Sequence, residues 1–126
     1  ITARQGDVPS FADAARALGA PVFVKPARQG SSVGVSKAAT PEEFDAAVAL
    51  ALNHDQKILI EEFVRGREIE CSVLEDADGS IFVSLPGEIA AAESHGFYSY
   101  DAKYIDPDGA ALTNPSIGEV KARLGR

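Results

Sequence analysis

A glycine-flanked pair of serines is the first segment of this sequence that could bind a ligand. Gly30-Ser31-Ser32-Val33-Gly34 lies between two short apolar runs, and Lys25 precedes it. Glycines let backbone N–H groups turn toward an anion, and serine hydroxyls add further donors. The pattern is neither the P-loop nor the dinucleotide-binding G-x-G-x-x-G motif. Residue types alone therefore leave two interpretations, a phosphate-binding loop and a plain hairpin loop.

A second candidate is the point where the apolar run Ile58-Leu59-Ile60 turns polar, at Glu61-Glu62-Phe63-Val64. Backbone N–H and C=O groups at such a strand end can pair with the edge of a purine ring. Glu68, a little further on, could accept hydrogen bonds from ribose hydroxyls. The alternative is a solvated strand end followed by a charged turn.

The third candidate is Lys103, which lies among Tyr98, Tyr100 and Tyr104. A lysine and tyrosines after a glycine-containing stretch could form a lid over a charged ligand, although tyrosines that only pack a surface loop are more common. Acidic residues follow in Asp106-Pro107-Asp108-Gly109, which is typical of a turn and not of a metal site. Neither histidine has a neighbourhood that suggests catalysis, and no metal ligand is predicted in this chain.

Composition excludes several classes of protein. The chain has 126 residues, 45% of them hydrophobic, and a net charge of -7 from 12 basic and 19 acidic residues. The acidic balance argues against nucleic-acid binding, and no run reaches the roughly 18 apolar residues that span a membrane. A single cysteine, Cys71, fits a reducing cytoplasm, and its alternating neighbours predict a buried thiol on a strand. The first residue, Ile1, is not methionine, from which we expect a cut or processed chain.

Local patterns predict the elements that must position these residues. Ser10 caps a helix over residues 11–18, and Thr40-Pro41 begins another that ends near Asn53. Strands are predicted over residues 20–26, 35–38, 57–64, 67–75 and 80–85, turns over 76–79 and 106–109, a loop over 90–96, and no regular period over 97–104. This order predicts an α+β fold, an antiparallel sheet with two helices packed on one face.

The order of the segments is more specific than any one of them: Val24-Lys25-Pro26-Ala27-Arg28-Gln29-Gly30-Ser31-Ser32-Val33-Gly34-Val35-Ser36-Lys37, then Ile60-Glu61-Glu62-Phe63-Val64, then Gly66-Arg67-Glu68-Ile69-Glu70-Cys71, then Pro86-Gly87-Glu88-Ile89, then Phe97-Tyr98-Ser99-Tyr100-Asp101-Ala102-Lys103-Tyr104. Together they closely resemble the central region of the D-alanine–D-alanine ligases, an ATP-grasp family. The resemblance covers about residues 8–112 and implies three parts. These are an ATP-grasp central subdomain over 1–91, a mobile lid loop and turn over 92–112, and the truncated start of a C-terminal part over 113–126.

The resemblance also implies site residues. Lys25, Ser31, Ser32 and Val33 would contact the ATP phosphates, with Ser31 also oriented toward the substrate. Glu61, Glu62, Phe63 and Val64 would surround adenine, and Glu68 would bind the ribose. Lys103 of the lid would approach the γ-phosphate, and Tyr104 would join the hydrogen bonds of the serine loop. Ser31, Lys103 and Tyr104 are thus the catalytic candidates.

The activity that the resemblance implies joins two D-alanines through D-alanyl phosphate, with release of ADP, for peptidoglycan. It implies ATP and Mg²⁺ as cofactors, with the Mg²⁺ ligands outside this chain, and a cytoplasmic parent protein that is a homodimer. Ligases of this type are about three times longer, so we expect the isolated chain to be inactive. A D-alanine–D-lactate or other ATP-grasp carboxylate–amine ligase, and an inactive nucleotide-binding fragment, are the alternatives.

Overall fold

The computed structural model describes residues 1–91, 97 and 99–113, and these divide into two compact units. The first unit is Ile1–Arg65 and the second is Gly66–Arg126. No helix in the described part of either unit is long and apolar enough to cross a membrane. The predicted limits at residues 91 and 112, and the predicted lid, stay predictions.

The first unit is a four-stranded antiparallel sheet with two helices. Its elements in chain order are β1 (Thr2–Arg4), α1 (Phe11–Leu18), β2 (Val22–Pro26), β3 (Ser36–Ala38), α2 (Pro41–Leu52) and β4 (Lys57–Glu62). The strands lie in the order β1-β4-β2-β3, so β2 and β4 are central. The α+β class and the two predicted helices are confirmed, whereas β1 was not predicted.

Both helices begin where their capping residues lie. The Ser10 hydroxyl accepts a hydrogen bond from the Asp13 N–H, and the Thr40 hydroxyl accepts one from the Glu43 N–H, each over 3.2 Å. In the second case the Glu43 carboxylate also accepts a hydrogen bond from the Ala39 N–H over 2.7 Å. Such reciprocal bonds satisfy backbone donors that have no partner inside the helix.

The core of the first unit lies between the helices and one face of the sheet. The rings of Phe11 and Phe44 join α1 to α2, with 5.8 Å between their centroids. On the strands, every second residue is buried against these helices, as the period of a β-strand requires. The buried cluster consists of Ala3, Ala14, Val22, Val24, Ala38, Phe44, Ala47, Ala51, Ile58 and Ile60.

The second unit is built from short ladders and one short helix. Its described elements are β5 (Glu68–Glu70), β6 (Val73–Glu75), β7 (Ile81–Val83), β8 (Gly87–Ala91), α3 (Tyr100–Tyr104) and β9 (Ala110–Thr113). β5, β8 and β9 form one antiparallel sheet, and β6 pairs with β7. The turns at 76–79 and 106–109 are confirmed by bonds from the Gly79 N–H to the Asp76 carbonyl and from the Gly109 N–H to the Asp106 carbonyl.

Four expectations for the second unit were wrong. The single strand predicted over 67–75 is divided at Cys71 and Ser72, because Glu68–Glu70 pairs with β8 whereas Val73–Glu75 pairs with β7. Cys71 is consequently exposed and outside a strand, not a buried strand thiol. The segment 97–104, predicted without regular structure, contains α3, and β8 occupies the start of the predicted loop at 90–96.

Candidate functional site

The candidate site begins on the face of the four-stranded sheet that points away from the helices. Since Val22, Val24 and Pro26 are buried, the residues between them, Phe23 and Lys25, point to the opposite face. The strand register places Phe23 directly across from Glu61 on β4 and from Lys37 on β3. This open face therefore carries residues of both predicted binding segments, Lys25 and Glu61, side by side.

Lys25 and Glu61 form an ion pair on this face. The Lys25 Nζ lies 2.8 Å from the Glu61 Oε2, and the two side chains are 36% and 45% exposed. A lysine ammonium has three donors, so it can bind Glu61 and a ligand anion together. The structure thus brings together two residues that are 36 positions apart in the sequence and gives both access to solvent.

Aromatic rings continue the open face toward the end of β4. The ring centroids of Phe23 and Phe63 are 5.9 Å apart, and the Lys37 Nζ lies 4.7 Å from the centroid of Phe63. Phe63 and Val64 come after the last ladder residue, Glu62, so the chain leaves the sheet where the purine-edge contacts are predicted. A ring held by an aromatic neighbour and a cation is a suitable surface for a planar ligand.

The serine–glycine loop, residues 27–35, connects β2 to β3 and begins shortly after Lys25 in the sequence. Ser31, Ser32 and Gly34 all have positive φ, at 54°, 60° and 69°. Two overlapping turns hold this path, with the Val33 N–H donating to the Gly30 carbonyl over 3.1 Å and the Val35 N–H to the Ser32 carbonyl over 3.2 Å. A serine in the left-handed region costs about 1–3 kcal/mol, and such strain is often found where a backbone is shaped for a ligand.

Gly34 is required by packing as well as by its backbone angle. A Cβ atom at this position would lie 2.7 Å from the Cδ2 of His54 and 2.9 Å from the Cγ of Pro26. Glycine is therefore the residue that lets the end of the loop lie against the turn after α2.

An ion pair that was not predicted lies at the start of the same loop. The Arg28 Nε donates to the Asp55 Oδ2 over 3.0 Å, and the Arg28 Nη2 donates to the Asp55 Oδ1 over 2.6 Å. These bonds, together with a bond from the Lys57 N–H, hold the pKa of Asp55 well below its ordinary value of 3.8. The two residues are 27 positions apart, and no local pattern in the sequence connects them.

The remaining predicted residues lie in the second unit. Glu68 is the exposed first residue of β5. Lys103 and Tyr104 end α3, which Ser99 caps through a bond from the Ala102 N–H. The rings of Tyr104 and Tyr100 lie 5.0 Å apart, so the tyrosines of this segment contact each other.

An ion pair in the second unit joins Arg67, just before β5, to Glu88 on β8. The Arg67 guanidinium donates two hydrogen bonds to the Glu88 carboxylate, over 3.0 and 2.7 Å. These bonds lower the pKa of Glu88.

Tyr98 and His95 lie outside the described residues. The described part of the chain contains no cluster of three or more histidine, cysteine or carboxylate side chains that could hold a metal ion.

Comparison with known proteins agrees with this arrangement. The family described as "D-ala D-ala ligase C-terminus" matches residues 2–123. The chain is 60% identical over 116 residues to D-alanine–D-alanine ligase A of Mesorhizobium japonicum and 53% identical to that of Brucella suis biovar 1. These matches cover 92% of the chain but 32% and 33% of the relatives. The chain thus spans about a third of the length of the curated relatives it matches.

Solved structures give the same fold over nearly the whole chain. D-alanyl-alanine synthetase A from Vibrio cholerae aligns with a TM-score of 0.64 at 30% identity, over 99% of this chain and 40% of that one. VanG D-Ala:D-Ser ligase from Enterococcus faecalis aligns with a TM-score of 0.67 at 31% identity, over 98% and 36%. The extent of the family match, supported by these relatives, places the chain in the D-ala D-ala ligase C-terminus family.

Proposed function

We propose that this chain is the ATP-binding part of an ADP-forming D-alanine–D-alanine ligase. The observation that carries the proposal is that Lys25 lies on the open sheet face near the end of β2, the strand that leads into the loop with the left-handed serines. A cation and a loop with successive left-handed residues at one strand end suit a polyphosphate, because N–H groups and hydroxyls can surround its oxygens. The names of the relatives support D-alanine as the substrate.

In this proposal the nucleotide lies along the open face of the first unit. Lys25 and the loop residues Ser31, Ser32 and Val33 bind the phosphates. The adenine edge pairs with backbone groups of Glu62 and Val64, its ring lies by Phe63, and Glu61 both contacts adenine and holds Lys25. The 2.8 Å ion pair supports this last role, since a lysine fixed by a carboxylate needs little reordering when an anion arrives.

The chemistry that these residues would serve is the activation of a carboxylate. In the proposed reaction a D-alanine carboxylate oxygen attacks the γ-phosphorus, and ADP leaves with the bonding electron pair. The neutral amine of a second D-alanine then attacks the acyl carbon and gives up one proton to water. The bond from the acyl carbon to the phosphate oxygen breaks, and inorganic phosphate leaves with its electron pair. Protein groups contribute mainly by orienting the phosphates and stabilising their charge. For that reason the positions of Lys25 and Ser31 matter more than their acid–base properties.

The roles in the second unit are proposed from the resemblance alone. Glu68 would bind the ribose, Lys103 would approach the γ-phosphate, and Tyr104 would hydrogen-bond with the serine-loop network. Mg²⁺ is proposed to bind ligands outside this chain, as the family resemblance implies. We also propose that the parent ligase is a cytoplasmic homodimer.

Calorimetric titration of the chain with ADP tests the binding role. Lys25→Ala should weaken ADP binding about tenfold, the effect of losing one charge-assisted contact worth roughly 1.4 kcal/mol. Arg16→Ala is the matched control, because Arg16 is a paired cation on α1, away from the open face, with a 2.7 Å bond to Asp13. Equal ADP binding by the Lys25→Ala and Arg16→Ala variants would refute the assigned role of Lys25.

The substrate is tested separately with the full-length ligase proposed to contain this chain. D-alanine-dependent ADP release is expected, with little release when D-lactate or D-serine replaces the second D-alanine. A preference for D-serine would instead mean that the protein shares the substrate named for VanG, to which this chain is 31% identical. The isolated chain should release no ADP in response to D-alanine.

A further inference from the structure

We infer that the turn after α2, residues 53–56, anchors the serine–glycine loop, and that Asp55 is a positioning residue for phosphate binding. This inference rests on the proposed function insofar as it assigns phosphate to the loop. It goes beyond that function because neither Asp55 nor its partner Arg28 is among the residues that the family resemblance assigns to the nucleotide.

Contacts from both ends of the loop converge on this one turn. At the beginning, Arg28 makes its two hydrogen bonds to the Asp55 carboxylate, and the Gln29 amide lies 3.5 Å from the His54 carbonyl. At the end, Gly34 lies so close to the His54 ring that a Cβ atom would collide with it. The strained residues Ser31 and Ser32 lie between these two attachments.

The buried position of Asp55 holds the Arg28 end of the loop in place. Its side chain is 2% exposed, and its Oδ1 also accepts a hydrogen bond from the Lys57 N–H over 3.1 Å. Lys57 is the first residue of β4, and its carbonyl accepts a bond from the Ala27 N–H over 2.9 Å. Asp55 therefore ties the loop to a central strand of the sheet.

The same contacts give Arg28, a cation within the loop, a structural role. The Arg28 side chain is 74% exposed and belongs to the loop that is proposed to bind phosphate, so it is an obvious candidate for a phosphate ligand. However, two of its donors already form a fork with Asp55, a geometry that fits carboxylates well. Arg28 thus fixes where the loop leaves β2, whereas Lys25 lies on the open face of the sheet.

An anchor of this kind should affect phosphate recognition more than adenine recognition. A loop with left-handed serines needs outside support to keep its conformation, since other backbone angles are more favourable for these residues. Loss of the anchor should let residues 31–33 leave the geometry in which their N–H groups meet an anion. Phe63 and the end of β4 do not depend on this attachment and should bind adenine as before.

The test compares ADP with adenosine as probes for the chain and its Asp55→Asn variant. We expect ADP to bind about tenfold more weakly to Asp55→Asn, with adenosine affinity unchanged, because a misplaced loop loses oriented contacts to phosphate only. The ¹⁵N–¹H NMR signals of residues 31–33 in the ligand-free variant should also shift. Asp13→Asn is the matched control, since Asp13 has the same kind of arginine partner at 2.7 Å but lies on α1.

Arg28→Lys is the second variant, in case Asp55→Asn does not fold. Lysine retains the positive charge but cannot form the two parallel hydrogen bonds to the carboxylate, so the same selective loss of ADP binding is expected. Unchanged ADP affinity and unmoved signals for residues 31–33 in a folded variant would overturn the inference, even if its melting temperature falls. Failure of the unaltered chain to bind either probe would refute the proposed function instead, and the NMR signals would then decide on the anchor alone.

Discussion

The described parts of the two units differ in how many of their apolar side chains are buried. In Ile1–Arg65, ten buried apolar residues form one continuous core between α1, α2 and the sheet. In the described part of the second unit, only Ile89 and Ala102 are buried apolar residues. Several large apolar side chains there are exposed, namely Ile69, Val73, Ile81, Val83, Leu85, Tyr104 and Ile105.

This difference explains why local patterns were more reliable in one unit than in the other. A buried face selects one register of a strand, because a shift by one residue would turn the apolar side chains outward. The strands of the first unit are constrained in this way, as the alternation of β2 and β4 shows. β6 and β7 bury much less, so alternation in the sequence does not determine where each strand ends.

Replacing one buried and one exposed isoleucine would test this comparison most strongly. Ile60 on β4 is fully buried and Ile81 on β7 is 61% exposed. Ile60→Ala should lower the free energy of unfolding of the first unit by about 2–5 kcal/mol, since it removes apolar contacts and leaves a cavity. Urea denaturation followed by circular dichroism, with hydrogen exchange of the β4 amides, measures this loss.

Ile81→Ala is the matched control for this prediction. Its expected effect is within about 0.5 kcal/mol, as for most exposed positions. Similar losses for the two variants would mean that the apolar face of β7 is as important to stability as the core of the first unit, and the contrast between the units would be wrong.

Local interactions account for the parts of the first unit that could be predicted. α2 begins at Pro41 because Thr40 and Glu43, three residues apart, cap it, and this signal is visible in the sequence. Lys25, the serine loop and the end of β4 were identified by residue type and by the order of segments, and the antiparallel register brings Lys25 next to Glu61.

Distant partners account for what could not be predicted. β1 is a strand because Thr2–Arg4 pairs with the residues of β4, and three residues carry no period of their own. The strand predicted over 67–75 is divided because its two halves pair with different strands, β8 and β7. Ser31 and Ser32 have positive φ values, as Gly34 does, and residue types alone did not indicate this for the serines.

The two glycines of the serine–glycine loop, Gly30 and Gly34, differ in how closely other residues pack against them. Gly34→Ala should destabilise the first unit by about 1–3 kcal/mol, because alanine disfavours a φ of 69° and its Cβ would collide with His54 and Pro26. ADP affinity should fall as well if the end of the loop is displaced. Thermal unfolding and calorimetric titration measure the two effects.

Gly30 provides the control at the other end of the same loop. A Cβ atom there would meet no atom within 4 Å, and its φ is not positive. Gly30→Ala should therefore retain the stability of the unaltered chain within about 0.5 kcal/mol. If the two substitutions cost the same, the close approach of Gly34 to the turn would have no energetic importance.

A still smaller effect is expected for two ion pairs in which an arginine donates two hydrogen bonds to a carboxylate, Arg28–Asp55 in the first unit and Arg67–Glu88 in the second. Hydrogen bonds from Arg28 lower the pKa of Asp55, and hydrogen bonds from Arg67 lower the pKa of Glu88. The Glu88 side chain is 34% exposed, against 2% for Asp55, so solvent screens the pair of the second unit more. Asp55→Asn should therefore lower the melting temperature at pH 7 more than Glu88→Gln does.

The pH dependence of this difference follows from the direction of the pKa shifts. A carboxylate whose pKa is lower in the folded state stabilises the protein fully above its unfolded pKa, and this contribution is lost as the pH falls through the folded value. The gap in melting temperature between the unaltered chain and Asp55→Asn should thus be constant near neutrality and narrow below about pH 4. Other carboxylates titrate equally in both proteins and cancel in the gap. A gap that widens on acidification would mean that Asp55 is not held as a carboxylate by Arg28, and the attachment of the loop to the sheet would then need another origin.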